Sequence, residues 1–295
     1  MPRRFDTISF LSDYGTSDEF VGVVKSVIRS IAPEATVVDI THDVSPYDVK
    51  GGSLTLARSV QYLCPGVVLA VVDPGVGTAR KAIAIEVGEG ESYLVGPDNG
   101  LLAPAVGLVG GATRAVELTN PEYQLPAPGA TFAGRDVFGP AAAYLCAGVP
   151  LDELGPAVDP ALLLPGVVPL PHEEDGNLAG QILWVDRYGN CQLNVDPEQI
   201  GDWGDKVQVR WAGSRPGVRT GRRVTTFDEL RTGEIGLVTD SYGLVSVALA
   251  RASAADLLEL TAGDEVVLVP MDDDEPEGAS GNGASVSVSL ERKPR

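Results

Sequence analysis

Two carboxylates stand directly after strand-like runs of the sequence and are its first candidates for chemistry. Asp13 follows residues 8–12, and Asp73 follows the wholly apolar residues 67–72. In open α/β sheets, ligands bind outside the carboxyl ends of the strands, so polar side chains at these positions come first. A carboxylate that ends a buried strand is also a common turn or helix cap. Position alone therefore nominates both residues without assigning a reaction.

The segment after Asp73 reads Pro-Gly-Val-Gly-Thr-Ala-Arg and ends at Arg80. Its glycines predict a tight turn that could fold Arg80 back toward Asp73. The segment lacks the Gly-Lys-Ser/Thr ending of a P-loop, and the first strand leads into Ser-Asp-Tyr-Gly at 12–15 instead of a Gly-x-Gly-x-x-Gly turn. The sequence therefore disfavours a P-loop enzyme, a dinucleotide enzyme and an ordinary Rossmann methyltransferase.

Histidine and cysteine are too few and too scattered for an obvious metal centre, Ser/His/Asp site or disulfide framework. The histidines are His42 and His172, the cysteines are Cys64, Cys146 and Cys191, and no Gly-x-Ser-x-Gly elbow is present. His42 follows the second strand, where a structural role is favoured over a place at the ligand edge. We expect buried free thiols and no metal or cofactor.

Charge and hydropathy exclude two broad classes of partner. The formal net charge of −19 repels phosphate backbones and disfavours nucleic acid, while it mildly favours a cationic ligand. The sequence has no apolar stretch approaching the roughly 20 residues that a membrane span requires. Residues 1–5 run into a strand-like segment with no apolar signal region before it, so a cytoplasmic location is expected.

The elements that would position these residues fall into two groups. The first half alternates β-branched runs with amphipathic stretches, which is typical of a mainly parallel sheet with helices on its faces. Five prolines between residues 155 and 171 indicate a linker, and the short runs beyond it indicate a small all-β domain. We predict an α/β domain at 1–165, a linker at 166–176, a β domain at 177–271 and a disordered tail at 272–295.

Seven sequence blocks, in order, resemble the S-adenosyl-L-methionine (SAM) hydroxide adenosyltransferases, which are related to the fluorinase and chlorinase. The resemblance covers residues 5–270, and its blocks are Phe-Leu-Ser-Asp-Tyr-Gly at 10–15, residues 39–49, Val-Asp-Pro-Gly-Val-Gly at 72–77 with Arg80, Gly-Pro-Asp-Asn-Gly-Leu-Leu at 96–102, Thr-Phe-Ala-Gly-Arg-Asp at 131–136, Asp-Arg-Tyr-Gly-Asn at 186–190 and Asp-Ser-Tyr-Gly at 240–243.

This resemblance implies a fold, an assembly and a reaction. The fold is an α/β domain with a seven-stranded sheet, followed by a small C-terminal β-barrel. The assembly is a homotrimer with active sites between the N-terminal domain of one subunit and the C-terminal domain of its neighbour. In the reaction, a nucleophile attacks C5′ of the ribose and expels methionine as a neutral thioether, without a metal or cofactor. With water as the nucleophile, the products are adenosine and L-methionine.

The resemblance also implies a catalytic set of Asp, Arg and His that positions and activates the water. Asp73 and Arg80 match the first two, and we expect Arg80 to orient the Asp73 carboxylate and keep it ionised. The family pattern reads Thr-Phe-His-Gly-Arg-Asp, whereas this chain has Ala133 at the place of the histidine. Binding of the substrate is expected to persist, and the rate of cleavage is expected to be impaired.

Substrate-binding roles carry over by position. Asp13 would accept hydrogen bonds from both ribose hydroxyls, and Tyr47 would pack near the ribose. Phe227 would stack on the adenine face, and Asn190 offers the donor and acceptor that an adenine edge requires.

The methionine end would be held by Asp186 and Ser241. Tyr242 departs from the arginine of the halogenating relatives, which leaves their carboxylate contact unsupported in this chain.

Two alternatives remain open beside a SAM hydrolase. A halide-dependent, chlorinase-like enzyme is disfavoured because an anionic Asp73 repels a halide and Gly134 has no side chain to bind one. A protein that binds SAM or adenosine without turnover is made more credible by Ala133. The products formed from SAM with and without chloride would distinguish all three.

Overall fold

The computed structural model describes residues 5–212 and 216–271. The chain divides into two compact units, Met1–Pro169 and Leu170–Arg295. The tail predicted to be disordered, 272–295, lies outside the described residues. None of the helices in the described ranges is long and apolar enough to cross a bilayer.

A seven-stranded sheet forms the centre of the first unit. Its strands are β1 (Thr7–Ser12), β2 (Thr36–Thr41), β3 (Val67–Val71), β4 (Ala82–Val87), β5 (Ser92–Pro97), β6 (Ala112–Glu117) and β7 (Ala157–Val158). Their order is β2-β1-β3-β5-β4-β6-β7. The first four in this order are parallel, β4 is antiparallel to both β5 and β6, and β7 is antiparallel to β6. Because β6 therefore runs with the first four, the sheet is mainly parallel, which confirms the predicted fold class.

Helices cover both faces of this sheet. They are α1 (Phe20–Ile31), α2 (Val49–Val60), α3 (Ala103–Leu108) and α4 (Gly139–Cys146), the last preceded by a π-helical turn, Gly134–Phe138. Alternate residues of the central strand β3 enter different cores: Val67, Leu69 and Val71 pack with α1 and α4, while Val68 and Ala70 pack with α2 and α3. This alternation explains why β3 is apolar throughout, since a strand that is buried on both faces has no solvent side.

The second unit is a closed β-barrel, also as predicted. Its strands are β8 (His172–Glu174), β9 (Asn177–Val185), β10 (Cys191–Leu193), β11 (Lys206–Trp211), β12 (Gly217–Val224), β13 (Ile235–Thr239), β14 (Val245–Leu249) and β15 (Glu265–Pro270). The strands pair in the order β10-β14-β13-β12-β11-β15-β9, and a β10–β9 pairing closes the ring. Strand β8 adds to β9 outside the ring, so the segment expected to be a linker, 166–176, contains a short strand.

The three cysteines differ in burial. Cys146 and Cys191 are buried free thiols, as expected, whereas Cys64 is exposed. The expectation was wrong for Cys64 because this residue lies in the loop between α2 and β3, where neither core reaches it.

Candidate active site

Asp13 occupies the turn between β1 and α1, at the carboxyl edge of the sheet. Its amide donates to the Val71 carbonyl of β3 at 3.3 Å, which ties the turn to the neighbouring strand. Its Oδ2 accepts a hydrogen bond from the Tyr47 amide at 3.0 Å. Tyr47 has a φ of 68°, an uncommon conformation for a bulky residue, and its side chain is 75% exposed. The structure thus brings two of the predicted residues together through the backbone of Tyr47 and leaves its ring accessible.

A hydrogen-bonded chain of Ser12, His42 and the exposed Asp39 connects this turn to strand β2 and the loop after it. Ser12 Oγ lies 2.8 Å from His42 Nδ1, and His42 Nε2 lies 3.1 Å from Asp39 Oδ1. The His42 carbonyl accepts from the Gly15 amide at 2.7 Å, and Ser12 Oγ accepts from the Tyr14 amide at 3.3 Å. Ser12, His42 and Asp39 have the residue types of a catalytic serine triad. Because Ser12 and His42 are buried and out of reach of a substrate, the resemblance is one of composition only. The role of the three residues is to hold the turn that carries Asp13.

The Asp73–Arg80 pair is the main electrostatic feature at this edge. Arg80 is folded back onto Asp73, as the glycine-containing turn predicts. Arg80 Nε donates to Asp73 Oδ1 at 3.0 Å, and Nη2 donates to Oδ2, which makes the pair bidentate. The guanidinium carbon lies 5.2 Å from the centre of the Phe138 ring. Both side chains are largely buried, so this pair is shielded from solvent.

Burial is the largest influence on the Asp73 carboxyl. Desolvation raises its pKa, Arg80 opposes this by charge and by hydrogen bonds, the Gly75 amide also lowers it, and the negative charge of Asp13 raises it. The net result is a pKa above the ordinary aspartate value. Arg80 therefore orients Asp73 as expected, but it does not offset the cost of placing a charge in a buried site.

Position 133 lies beside this pair. Ala133 directly precedes the π-helical turn and lines a cavity of about 500 Å³ together with Arg80 and Asp136. Asp136 is 6% exposed and forms a bidentate pair with Arg135 at 2.6 and 3.0 Å. The structure thus brings Asp73, Arg80 and Ala133, which come from two separate segments of the sequence, into one region. Arg135 is thus paired with Asp136 inside the turn, whereas Arg80 is paired with Asp73.

Tyr14 belongs to the same region and was missed as a site residue. Its hydroxyl lies against the backbone of Gly134, and its ring lies 5.7 Å, centre to centre, from both Phe20 and Phe132. Burial raises the pKa of Tyr14 strongly, and the charges of Asp13 and Asp73 raise it further. The sequence did point to Tyr14, because it follows Asp13 in the block at 10–15 that resembles the family. An aromatic residue at such a position is more simply interpreted as a packing residue.

The other four predicted binding residues line one pocket in the barrel. This pocket has a volume of about 440 Å³ and contains Asp186, Asn190, Phe227 and Ser241. Trp184 and Tyr242 also line it, with their rings 6.1 Å apart in an edge-to-face arrangement. Flat aromatic surfaces beside amide and carboxylate groups can hold a planar polar ligand such as a nucleobase.

Asp186 is committed to its own turn. Its Oδ1 accepts from the amides of Tyr188 and Asn190 at 2.8 and 2.9 Å, and its Oδ2 accepts from Asn190 Nδ2 at 2.7 Å. A carboxylate only accepts, so this contact fixes the amide of Asn190 with its nitrogen toward Asp186 and its oxygen elsewhere. Asp186 therefore sets the orientation in which Asn190 is presented.

A second turn, at 240–243, has the same arrangement. Asp240 Oδ1 accepts from the Tyr242 amide at 2.9 Å, and Gly189 and Gly243 have φ values of 83° and 82° at equivalent positions. Asp240 Oδ2 accepts from Gln192 Nε2 at 2.7 Å, while Gln192 Oε1 is buried without a hydrogen-bond partner among the described residues. Asp240 and Gln192 were not singled out from the sequence, although Asp240 begins a quoted block.

Within residues 5–212 and 216–271, no group of three or more His, Cys, Asp or Glu side chains is arranged to hold a metal ion.

The fold and the site define a class of two-domain protein. One domain is an open α/β sheet with an aspartate–arginine pair at its carboxyl edge, and the other is a β-barrel with a pocket lined by aromatic and amide groups. The chain belongs to the SAM hydroxide adenosyltransferase family: the model of the N-terminal domain matches residues 8–155, and that of the C-terminal domain matches residues 180–267.

Curated relatives and solved structures agree with this assignment. A protein of Salinispora arenicola named (R)-S-adenosyl-L-methionine hydrolase is 45% identical over 88% of this chain and 96% of its own length. A protein of the same name from Thermus thermophilus is 41% identical over 89% of this chain and 99% of its own length. A fluorinase of an Actinoplanes species is 28% identical over 87% of this chain and 95% of its own length. The crystal structure of an uncharacterized conserved protein from Thermotoga maritima superposes with a TM-score of 0.81 at 34% identity and covers 89% of this chain and 99% of that one.

Proposed function

We propose that this protein is a SAM hydrolase that forms adenosine and L-methionine. The observation that carries the proposal is the buried, bidentate Asp73–Arg80 pair beside position 133, in a chain whose relatives at 41–45% identity are named for this hydrolysis. The names of those relatives specify the R configuration at sulfur, and the R epimer is the proposed substrate here.

The reaction needs little from the protein beyond placement. A water oxygen attacks C5′ of the ribose, the C5′–S bond breaks with its electron pair going to sulfur, and methionine leaves as a neutral thioether. The water proton passes to a base, a role that we assign to Asp73. A carboxylate with a pKa above its ordinary value is a stronger proton acceptor, and water-excluded surroundings strengthen its interactions.

Substrate binding is assigned to two groups of residues. Asp13 would accept from the ribose hydroxyls while the Tyr47 amide holds one of its oxygens. Phe227 and Asn190 would take the adenine, and Asp186 and Ser241 are assigned to the methionine end. Both carboxylate oxygens of Asp186 already accept hydrogen bonds within its own turn. We therefore favour an indirect role for Asp186, in which it orients Asn190.

Ala133 reduces the rate of cleavage in this account and leaves binding intact. A methyl group neither accepts a proton nor holds a water, whereas an imidazole does both near neutral pH. The same substitution is the observation that favours the second candidate function, a protein that binds SAM or adenosine without turnover. A halide-dependent reaction is disfavoured by the anionic Asp73, which repels a halide in a buried site.

The test is to incubate the protein with the R and S epimers of SAM, each with and without chloride, and to resolve the products. Hydrolysis predicts adenosine and methionine from the R epimer at a rate independent of chloride. A 5′-chloro-5′-deoxyadenosine product would support the halide reaction instead. Tight binding of SAM with no product after long incubation would support the non-catalytic binder.

The family resemblance also supports a cytoplasmic homotrimer, with each site between the N-terminal domain of one subunit and the barrel of its neighbour. Ligand that bridges two subunits would stabilise the trimer by mass action. Light scattering with and without adenosine tests this assembly, and a monomer that still binds ligand tightly would contradict it.

A further inference from the structure

The Tyr14 hydroxyl lies against Gly134 and is influenced by the negative charges of Asp13 and Asp73. A Cβ atom added to Gly134 would lie 2.2 Å from the Tyr14 hydroxyl oxygen and 3.0 Å from Cζ. The hydroxyl therefore fills the space beside residue 134 where any other residue would carry a side chain. Residue 133, the place of the missing imidazole, is the next residue along the backbone.

The Tyr14 hydroxyl lies against the backbone of Gly134, whose amide lowers its pKa. Among the described residues, the hydroxyl donates to no carbonyl or side chain, so its proton is available. Burial together with the charges of Asp13 and Asp73 holds the pKa far above the ordinary tyrosine value, so the group stays protonated. Tyr14 is thus a fixed donor near two acceptors and cannot serve as a base.

We infer that the Tyr14 hydroxyl donates a hydrogen bond to the attacking water and holds it beside the Asp73 carboxylate. Tyr14 would thereby position the water in place of the absent histidine. The inference rests on the proposed hydrolysis. In the reaction, Tyr14 keeps its proton throughout: the water oxygen bonds to C5′, the water proton goes to Asp73, and the C5′–S electron pair leaves with methionine. Its contribution is placement, and proton transfer stays with Asp73.

Packing fixes the hydroxyl in place. Phe20 and Phe132 contact the ring, and their own centres lie 5.0 Å apart, so the three rings form one cluster. The Tyr14 amide donates to Ser12 Oγ, which also contacts the buried His42. A donor that is held from both its ring and its backbone loses little entropy when it binds a water, which favours placement of this kind.

Tyr14→Phe is the direct test, because phenylalanine keeps the ring contacts and removes only the oxygen. Single-turnover cleavage of SAM should slow by between about threefold and tenfold, the span of one net hydrogen bond. Affinity for adenosine and the unfolding midpoint should change little. Tyr93→Phe is the matched control, since Tyr93 is fully buried in strand β5 of the same unit and its hydroxyl contacts Glu86 instead. This control should leave the rate unchanged.

The same variant in an Ala133→His background sharpens the test. An imidazole that holds the water should make the tyrosine partly redundant, so Tyr14→Phe should cost less there than in the natural chain. Gly134→Ala, whose methyl group would displace the hydroxyl, should slow the natural chain and add little to Tyr14→Phe.

The outcomes separate the two proposals. Equal rates for Tyr14→Phe and its parent, in both backgrounds, would overturn the role of Tyr14 and leave the hydrolysis standing. A loss of adenosine affinity and of thermal stability in step with the rate would show that Tyr14 only packs, and would overturn it too. If neither the natural chain nor Ala133→His releases adenosine, the proposed function fails and this inference fails with it.

Discussion

Alanine at position 133 places a methyl group where the family resemblance implies an imidazole. Its neighbours are intact in the structure: Arg80 and Ala133 line one cavity, and Arg80 holds Asp73 through two hydrogen bonds. In the proposed hydrolysis, Asp73 and Arg80 supply the charge and its orientation, and the imidazole is the group of the implied catalytic set that this chain lacks.

Restoring the imidazole should restore the rate. We expect Ala133→His to accelerate adenosine release by about 10²–10⁴-fold, the usual span of general acid–base participation, with SAM affinity within a few-fold of the parent. Asp13, Asn190 and Asp186 are untouched by this change. Single-turnover kinetics measures the gain, and a gain below about tenfold would mean that the histidine only orients the water. A histidine form that is no faster would exclude residue 133 from the catalytic set.

The burial of Asp73 gives the reaction a pH dependence with a definite sign. The ionised carboxylate is the working form, so kcat/KM should fall as the pH falls through its pKa, which burial raises above the ordinary value of about 3.9. Arg80→Gln removes the group that lowers this pKa and should move the acidic limb to higher pH. A limb that stays in place or moves to lower pH, while circular dichroism shows a folded protein, would contradict Asp73 as the base.

At the scale of elements, two equivalent turns shape the barrel pocket. Asp186 and Asp240 each begin a turn with Tyr two residues later and Gly three residues later, and each accepts from the amide of that tyrosine. Both glycines lie in the left-handed region. A Cβ at Gly189 would lie 2.0 Å from Ser253 Oγ, whereas nothing lies within 4 Å of one at Gly243.

This difference makes a matched pair of substitutions. Gly243→Ala should destabilise the barrel by about 1–2 kcal/mol, the cost of a left-handed alanine. Gly189→Ala carries the same backbone cost and adds the collision with Ser253, so it should destabilise the barrel by more. Urea denaturation of both proteins measures the free energies of unfolding. Equal values would mean that Ser253 moves aside and that the turn is not fixed against it.

Sequence patterns predicted the elements with strong periodicity and failed on the weak ones. The apolar strand at 67–72 was clear, because every position of it is buried. Strand β6 contains Thr113 and Arg114 on exposed positions, and β8 consists of exposed polar residues, so neither has a hydrophobic pattern. Their pairing with β4 and β9 decides their conformation, and that information is not local.

The site was predicted to a similar degree. Family blocks nominated the residues at 13, 73, 80 and 133, and the turn after Asp73 explained how Arg80 returns to it. The dominance of burial over Arg80 at Asp73, and the approach of Tyr14 to Gly134, depend on tertiary packing between the β1–α1 turn and the π-helical turn. Distances between segments more than 100 residues apart are not encoded in either segment alone.

At the scale of the whole molecule, charge and architecture favour the same chemistry. A net charge of −19 attracts a cationic sulfonium and disfavours halide anions. The sheet unit supplies the Asp73–Arg80 pair, and the barrel unit supplies the aromatic and amide-lined pocket. A sulfonium is already an activated leaving group, so a scaffold that binds it and aims a water is sufficient for cleavage.

The most direct test of this account is the origin of the 5′ oxygen in the product. The natural chain and Ala133→His are incubated with SAM and chloride in ¹⁸O-labelled water, and the products are analysed by mass spectrometry. Attack of water at C5′ predicts adenosine with one ¹⁸O at its 5′ position and unlabelled methionine. Unlabelled adenosine, a chlorinated nucleoside, or intact SAM with both proteins would contradict it.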